Sequence, residues 1–312
     1  MSYSRPLKRR SSKHNTLHLR KFIAVIFLST VFFSCTKTTP ESDAKFSIVD
    51  DIGVEVSLPE KPKTVVSMAP NVTEAIYALG ADSMLAGVTT FCTYPPDAVN
   101  KTKVGDYLNP DYEVITSLKP DLVFLNVENR SNPTYQALEN LGIKVYVLNI
   151  DNFDGVINMI NKFGIILDKE ERANALTDSL KGVRNTLAEQ NSKERPDAFI
   201  IIASNPLMTA SGHTFINDIL EMSGFNNIYK SEEMEYPNIS FEDVIKKDPE
   251  YIILPSDTTD MTAINANLEE IRSSLSTTRA VKNNKILVVD ANTLFRPGPR
   301  LLDGVTLIRS GM

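Results

Sequence analysis

Short apolar runs alternate with amphipathic stretches along the first half of the chain. Four predicted strands lie at 64–67, 85–89, 121–125 and 144–148. Between them lie the stretches VTEAIYALG, DYEVITSLK and TYQALENLG, whose apolar positions recur with a helical period. The first and last of these stretches close on Gly80 and Gly142, and glycine readily ends a helix. Strands that alternate with helices predict βαβ units and a mostly parallel sheet.

The second half of the chain repeats this alternation. Predicted strands lie at 199–203, 251–254 and 286–289, with helical stretches FINDILEMSG, SFEDVIKKDP and LEEIRSSL. Residues 155–192 contain no strand pattern and no proline, which predicts a short helix at 155–167 and a longer one at about 168–191. At 1.5 Å per residue the longer helix extends about 36 Å. The predicted fold class is α/β, with two Rossmann-like lobes of mostly parallel sheet, a single long rigid α-helix that joins them, and a ligand cleft between the lobes.

The N-terminus has the pattern of an export signal. Residues 1–21 contain seven lysines and arginines and no acid, and the apolar run FIAVIFLSTVFF follows at 22–33. A bilayer-spanning helix needs about 20 apolar residues, so this run is too short to span. Residues 1–34 are therefore predicted to be a signal peptide, with lipidation of Cys35 as in a bacterial lipoprotein. A plain cleaved signal or an uncleaved anchor stays open, because the phenylalanines at 32–33 depart from the usual lipobox.

The chain of 312 residues is long enough for two domains with buried cores. After the signal peptide, the predicted division is a lipid-anchored polar linker at 35–46, an N-terminal α/β lobe at 47–150, connecting helices at 151–192 and a C-terminal α/β lobe at 193–312. The linker is polar and aperiodic, as expected for a tether. Cys92 is the only other cysteine, so an acylated Cys35 leaves no internal disulfide.

The sequence contains no motif for catalysis, nucleotide binding or metal binding. There is no G-x-S-x-G, no phosphate-binding glycine loop, and only one histidine after the signal peptide, His213, which we interpret as a loop residue. His213 and Cys92 fall in different predicted lobes without a second ligand nearby, so no metal site is expected. The formal charge of -6 gives no support to a nucleic-acid partner. The sequence therefore predicts neither catalytic residues nor a cofactor.

Acidic residues near the starts of two predicted helices raise a separate question. In SMAPNVTEAIYALG, Asn71 and Glu74 have the spacing of a capping box, and in PNISFED the same holds for Ser240 and Asp243. Glu242 stands beside the second pair without an evident capping role. A helix cap, a catalytic carboxylate and a docking contact are the three alternatives for Glu74.

Aromatic and turn residues cluster on the loops that follow the predicted strands. They are Phe91 and Tyr94 before a double proline, Tyr107, Tyr236, and Phe295 with Arg296. Open α/β sheets bind their ligands outside the carboxyl ends of the strands, which is where these loops would meet. We therefore expect these side chains to line the cleft together.

Six segments in this order resemble one family over about residues 64–304. They are VVSMAPNVTEAIYALG, GVTTFCTYPP, VGDYLNPDYEVITSLKPDLVF, LENLGIKVYVLN, EMSGFNNIYK and FRPGPR. The chain is similar to the periplasmic binding proteins of ABC importers for cobalamin and iron chelates, most of all to the cobalamin-binding members. The resemblance implies ligand contacts at Pro70, Phe91, Tyr94, Tyr107, Asn126, Tyr236, Asn292 and Arg296. It also implies that Glu74 and Glu242, one at the tip of each lobe, dock onto arginines of the two permease subunits.

The function expected from this resemblance is that of a membrane-tethered monomer, which captures a corrinoid and delivers it to an ABC permease dimer with its ATPase subunits. The expected location is the periplasm or the extracytoplasmic face of the cell envelope. The chain has no tryptophan, and Asn126 stands where cobalamin-binding members have one. A ferric siderophore or haem is the alternative ligand. A lipid-anchored enzyme and a surface adhesin or scaffold are alternatives of other classes.

Overall fold

The computed structural model describes residues 45–127, 129–192 and 194–312. These described residues form one compact unit. The predicted signal peptide at 1–34, the lipidation site Cys35 and the linker up to residue 44 lie outside the described residues. In the part of the chain that is described, no helix combines the length and the apolar character needed to cross a membrane.

A parallel sheet forms the centre of the N-terminal lobe. The strands of this lobe are β1 (Phe46–Val49), β2 (Glu55–Leu58), β3 (Val65–Ser67), β4 (Leu85–Val88), β5 (Thr102–Lys103), β6 (Leu122–Asn126) and β7 (Val145–Leu148). Five of them pair in parallel in the order β5-β4-β3-β6-β7. β1 and β2 form a separate antiparallel hairpin, which begins at Phe46, the last residue of the predicted linker. Val65, Val66 and Leu122 are fully buried, as expected for strands covered on both faces.

A second parallel sheet forms the centre of the C-terminal lobe. The strands here are β8 (Asp197–Ile200), β9 (Ala203–Ser204), β10 (Leu207–Met208), β11 (Asn226–Asn227), β12 (Tyr251–Ser256) and β13 (Ile286–Asp290). Four of them pair in parallel in the order β11-β8-β12-β13, and β9 and β10 form an antiparallel pair. The strand predicted at 199–203 begins two residues earlier than expected, because Ala198 and Phe199 are buried and pair with β12.

Helices follow most strands of both sheets. They are α1 (Pro70–Ala78), α2 (Tyr112–Ser117), α3 (Pro133–Asn140), α4 (Phe153–Leu167), α5 (Glu170–Gln190), α6 (Phe215–Met222), α7 (Phe241–Lys247), α8 (Met261–Ser274), α9 (Arg279–Lys282), α10 (Ala291–Leu294) and α11 (Leu301–Ser310). Short 3-10 segments lie at Asp82–Met84 and Pro96–Asn100. Gly80 and Gly142, just beyond α1 and α3, have φ angles of 66° and 74°. This left-handed conformation explains why glycine closes these two helices.

The helices α4 and α5 connect the two lobes. Asp168 between them has a φ of 59°, so the chain turns sharply and α5 packs back against α4. α5 has 21 residues and therefore extends about 31 Å. Two lobes of parallel sheet with a long connecting helix confirm the predicted α/β fold class.

One hydrophobic cluster runs through both lobes. It includes Phe124 of β6 and Phe163 of α4, whose ring centroids lie 4.4 Å apart. It continues to Ile200 and Val305 in the C-terminal lobe. Because buried apolar surface is continuous across the boundary, the lobes pack on each other directly.

Candidate ligand-binding site

Residues that follow strands of both sheets line one cavity between the lobes. In the N-terminal lobe Tyr107 follows β5, Asn126 ends β6 and Asp151 follows β7. Phe295 and Pro297 follow β13 in the C-terminal lobe. The larger section of the cavity has a volume of about 840 Å³ and the smaller one about 520 Å³. Four of these residues, all except Asp151, line both sections, so the cavity is continuous.

The smaller section of the cavity has an apolar wall. This wall consists of Met68, Ala69, Pro70, Phe91, Ala291, Phe295 and Pro297. Phe91 is 62% exposed, so much of its side chain is accessible to a ligand. Asn292 and Arg296 add polar groups, and Nη2 of Arg296 donates to Oδ1 of Asn292 at 2.6 Å. The section therefore combines apolar contact with a few orienting polar atoms, as ligand sites usually do.

Amide and acidic side chains dominate the larger section. Its polar wall comprises Asn126, Asn129, Ser131, Asn132, Asn149, Asp151, His213, Thr214 and Glu235. Nδ2 of Asn132 donates to the Tyr107 hydroxyl at 3.3 Å, which joins the amides to an aromatic ring. Burial, and then the negative charges of Glu235 and Asp151, raise the pKa of Tyr236 to about 12. The phenol of Tyr236 therefore stays neutral at physiological pH and keeps a proton to donate.

The structure brings seven of the eight predicted ligand contacts to this cavity. They are Pro70, Phe91, Tyr107, Asn126, Tyr236, Asn292 and Arg296. Tyr94 lines neither section, so its ligand contact stays a prediction. The guanidinium of Arg300 lies 3.7 Å from the centroid of the Tyr94 ring and covers one of its faces.

Sequence reasoning missed most of the polar residues of the cavity wall, and four of them are acids or a histidine. They are Asp151, His213, Glu235 and Asp257. Asp151 and Asp257 closely follow β7 and β12, so the rule on strand carboxyl ends could have found them. His213 and Glu235 lie on loops without a strand pattern beside them. His213 is a loop residue, as predicted, but its loop borders the cavity.

Glu74 is neither a helix cap nor an exposed docking group. α1 begins at Pro70 with Ala69 as its N-cap, and no side chain caps it. The Glu74 side chain is 2% exposed and lies 2.9 Å from Nη2 of Arg300 and 3.3 Å from Nη1 of Arg296. Both arginines belong to the C-terminal lobe, so Glu74 joins the lobes through buried ion pairs. The capping prediction for Glu74 is therefore wrong, whereas its docking role stays a prediction, which its burial does not favour.

The segment between α10 and α11 is fixed against the N-terminal lobe by further contacts. Arg296 donates to Glu74 and also to the carbonyl of Phe91 at 3.3 Å. Asn71, the other half of the predicted capping box, donates instead to the carbonyl of Pro297 at 3.2 Å. These bonds hold Arg296 at the cavity wall.

Two exposed glutamates occupy equivalent positions in the lobes. Glu113 and Glu242 are each the second residue of a short helix, α2 or α7. Asp111 caps α2 by accepting a backbone N–H at 3.0 Å, and Ser240 caps α7 by accepting the N–H of Asp243 at 3.2 Å, as predicted for Ser240. Hydrogen bonds from its own backbone N–H and from the Ser240 hydroxyl lower the pKa of Glu242, so this carboxylate is ionised at neutral pH.

The chain around these two helices is repeated. Each helix ends before a left-handed residue, Lys119 with φ 47° or Asp248 with φ 49°, and a proline and an acid come next. Ile115 and Val244 are the buried residues of the two helices. The internal repeat is therefore DYEVITSLKPDLVF with SFEDVIKKDPEYII.

Known proteins share the sequence pattern and the fold. Residues 65–293 match the family model for periplasmic binding proteins. The ABC transporter substrate-binding lipoprotein YvrC of Bacillus subtilis (strain 168) is 29% identical over 299 residues, which cover 90% of this chain and 93% of that relative. The crystal structure of the periplasmic vitamin B12 binding protein of Vibrio cholerae has a TM-score of 0.69 at 26% identity, over 80% of this chain and 96% of that one. A periplasmic heme binding protein from Pseudomonas aeruginosa has a TM-score of 0.72 at 26% identity, over 80% and 92% of the two chains.

Proposed function

This chain belongs to the periplasmic binding protein family, and we propose that it captures a corrinoid and delivers it to the permease of an ABC importer. It is a substrate-binding protein of an ABC transporter and not an enzyme, since its relatives are solute-binding proteins. A permease and an ATPase are the partners of that class of protein, and its place is outside the cytoplasm.

The observation that supports a corrinoid is the presence of an apolar wall and an amide-lined wall in one cavity. A corrin ring has broad apolar faces and carries amide side chains around its edge, so each wall has a counterpart on such a ligand. Tyr107 and Tyr236 offer an apolar ring with a polar tip, which takes the place of the missing indoles. The similarity to vitamin B12-binding proteins supports the same ligand.

Haem or a ferric siderophore is the alternative ligand. A heme binding protein shares the fold at the same identity as the vitamin B12 binding protein, so the fold does not choose between them. The apolar wall around Phe91 and Phe295 would also accept a porphyrin face.

A titration of the purified protein with cyanocobalamin, followed by visible absorbance, tests the proposal. We expect saturable one-to-one binding at micromolar concentrations or below. Phe91→Ala should bind about tenfold more weakly, because an exposed ring that stacks on the ligand contributes on the order of 1.4 kcal/mol. Leu141→Ala removes an apolar side chain that is also exposed but lies outside the cavity, and it should bind normally.

Two results would count against this proposal. If neither cyanocobalamin nor cobinamide shows saturable binding, the corrinoid proposal is refuted. Saturable binding of haem or of a ferric hydroxamate in their place would support the alternative ligand.

We propose Glu113 and Glu242 as the docking contacts for arginines on the two permease subunits. Glu242 keeps its predicted role, and Glu113 replaces Glu74 because it is exposed and has the equivalent helix position. Each helix leads back to the start of an inner strand, β6 or β12. The first turn of each helix therefore points toward the carboxyl ends of the strands and the mouth of the cleft.

We also propose that acylation of Cys35 tethers the protein to the membrane. The export pattern of the N-terminus and the lipoprotein among the relatives support this anchor. Metabolic labelling with a fatty acid checks it, and labelling that persists in Cys35→Ala would refute it.

A further inference from the structure

The charges of the cavity wall lead to an inference that rests on the proposed function and goes beyond it. We propose that Asp151 and Glu235 make the cleft select chelates whose peripheral groups are neutral amides and discriminate against chelates with peripheral carboxylates. The two acids face the ligand space, and the described part of the wall offers no free cation to compensate them.

Asp151 and Glu235 approach the cavity from different lobes. Asp151 follows β7, and Glu235 lies on the loop that precedes α7. Both residues are exposed, and neither forms an ion pair within residues 45–127, 129–192 and 194–312. Asp151 accepts only a long hydrogen bond from Nδ2 of Asn149, at 3.5 Å. Two negative charges therefore open into the space that a ligand would fill.

Arg296 is the only lysine or arginine among the described residues of the cavity wall. Its guanidinium already donates to Asn292 at 2.6 Å and to Glu74 at 3.3 Å, and its side chain is 12% exposed. A ligand carboxylate would have to compete with Glu74 for this arginine. Since Glu74 is buried, the loss of one of its two arginine partners would be costly.

Asparagines supply recognition without charge. Asn126, Asn129, Asn132 and Asn149 line the same section as the two acids. A primary amide has donors and acceptors and is less costly to desolvate than a carboxylate, so amides on the ligand can pair with this wall. Asp151 and Glu235 can accept hydrogen bonds from ligand amides, whereas an ionised carboxylate has no proton to give them. Each acid therefore favours an amide over a carboxylate both by hydrogen bonding and by charge.

Tyr236 shows that the two acids act on groups at this wall. Burial is the main cause of its raised pKa, and the charges of Glu235 and Asp151 raise the pKa further. A ligand carboxylate placed near Asp151 and Glu235 would be repelled by the same two charges.

The test compares two ligands that differ in a single group. They are cyanocobalamin and its monocarboxylate, in which one peripheral amide has been hydrolysed, and both are measured in the same buffer. We expect the wild-type protein to bind the monocarboxylate on the order of tenfold more weakly than cyanocobalamin. The reason is repulsion between the ligand carboxylate and the carboxylates of Asp151 and Glu235 at an intermediate dielectric constant. The double variant Asp151→Asn with Glu235→Gln should bring the ratio of affinities close to one. Glu233→Gln, an exposed neighbour outside the cavity wall, should keep the wild-type ratio.

The outcomes separate this inference from the proposed function. The inference would be overturned if the wild-type protein bound cyanocobalamin and its monocarboxylate with equal affinity, or if the double variant kept the wild-type ratio of the two affinities. Either result would leave the proposed function standing. Failure to bind either corrinoid would refute the proposed function. In that case haem, which has two carboxylates, is compared with its dimethyl ester, which has none. The inference requires that the wild-type protein binds the ester more tightly than haem, and that the double variant binds the two ligands about equally.

Discussion

Glu74 and Glu113 lie near the starts of two helices of the same lobe, yet their surroundings differ. The Glu74 side chain is 2% exposed between two arginines, whereas Glu113 is open to solvent. The sequence could not separate the two acids, because the arginines that enclose Glu74 lie 222 and 226 residues away from it. A capping pattern uses only local spacing and carries no information on such contacts.

Glu74→Gln is expected to lower the free energy of unfolding by about 3 kcal/mol at neutral pH. The substitution removes the charge and keeps the size of the side chain, so the two arginines lose their partner in a largely buried site. Urea unfolding midpoints of the variant and the wild type measure the effect. Glu113→Gln is the matched control and should change stability by less than about 0.5 kcal/mol, because its side chain is exposed. Equal midpoints for all three proteins would mean that the buried ion pairs contribute no net stability.

The residues of the cavity differ in how far the sequence could predict them. Aromatic residues such as Phe91 and Tyr107 are conspicuous on loops after strands, so they could be predicted. Asn129, Asn132 and Asn149 could not, because asparagine is common in turns for reasons unrelated to ligands. Indeed Asn132 caps α3 with its side-chain oxygen while its amide nitrogen faces Tyr107. Tertiary packing decides which of these turns faces the other lobe, and local sequence does not show it.

Among the elements, the connecting helices α4 and α5 were predicted to within two residues at each end. Their apolar positions repeat with a helical period over a long stretch that has no proline. The hairpin of β1 and β2 was not predicted, because each strand has four residues and is defined by pairing with the other. β5 and β11 are polar and two residues long, so only their place at a sheet edge makes them strands.

A glycine-to-alanine substitution is expected to have opposite effects on stability at Gly164 in α4 and at Gly182 in α5. A Cβ at Gly164 would lie 2.6 Å from the Cβ of Ala173, so Gly164→Ala should destabilise the protein by about 1 to 2 kcal/mol through overpacking. Gly182, inside α5, has no neighbour within 4 Å of such an atom. Gly182→Ala should therefore stabilise the protein by about 0.5 to 1 kcal/mol. Melting temperatures from circular dichroism check both signs, and a stabilising Gly164→Ala would contradict this packing.

For the molecule as a whole, three features join the lobes. A continuous apolar cluster crosses the boundary, two packed helices connect the sheets, and Glu74 pairs with arginines of the other lobe. These contacts support the prediction that the lobes move little when ligand binds, because bending would break buried contacts. The proposed docking surface, which both lobes contribute, would then be present before the permease is met.

Charge reversal at the two proposed docking contacts is expected to separate binding from transport. Glu113→Lys and Glu242→Lys should each reduce uptake of labelled cyanocobalamin by cells, and the double variant should abolish uptake, because like charges would face the permease arginines. The purified double variant should bind cyanocobalamin as the wild type does, since neither residue lines the cavity. Glu189→Lys, at an exposed position near the end of α5, is the control. Normal uptake by the double variant would refute docking through these residues.

The repeated segments DYEVITSLKPDLVF and SFEDVIKKDPEYII give the two sides of the proposed docking surface a similar helix with an exposed glutamate, whereas the residues that line the cavity differ between the lobes. A partner built of two related subunits can accept such a surface in two orientations, which differ by a half-turn. In each orientation the amide-lined section of the cavity faces a different subunit. A choice between the orientations therefore depends on residues outside the two helices, such as Leu108, which is 83% exposed beside Tyr107. Without such a choice, an asymmetric ligand would reach the translocation path in two opposite poses.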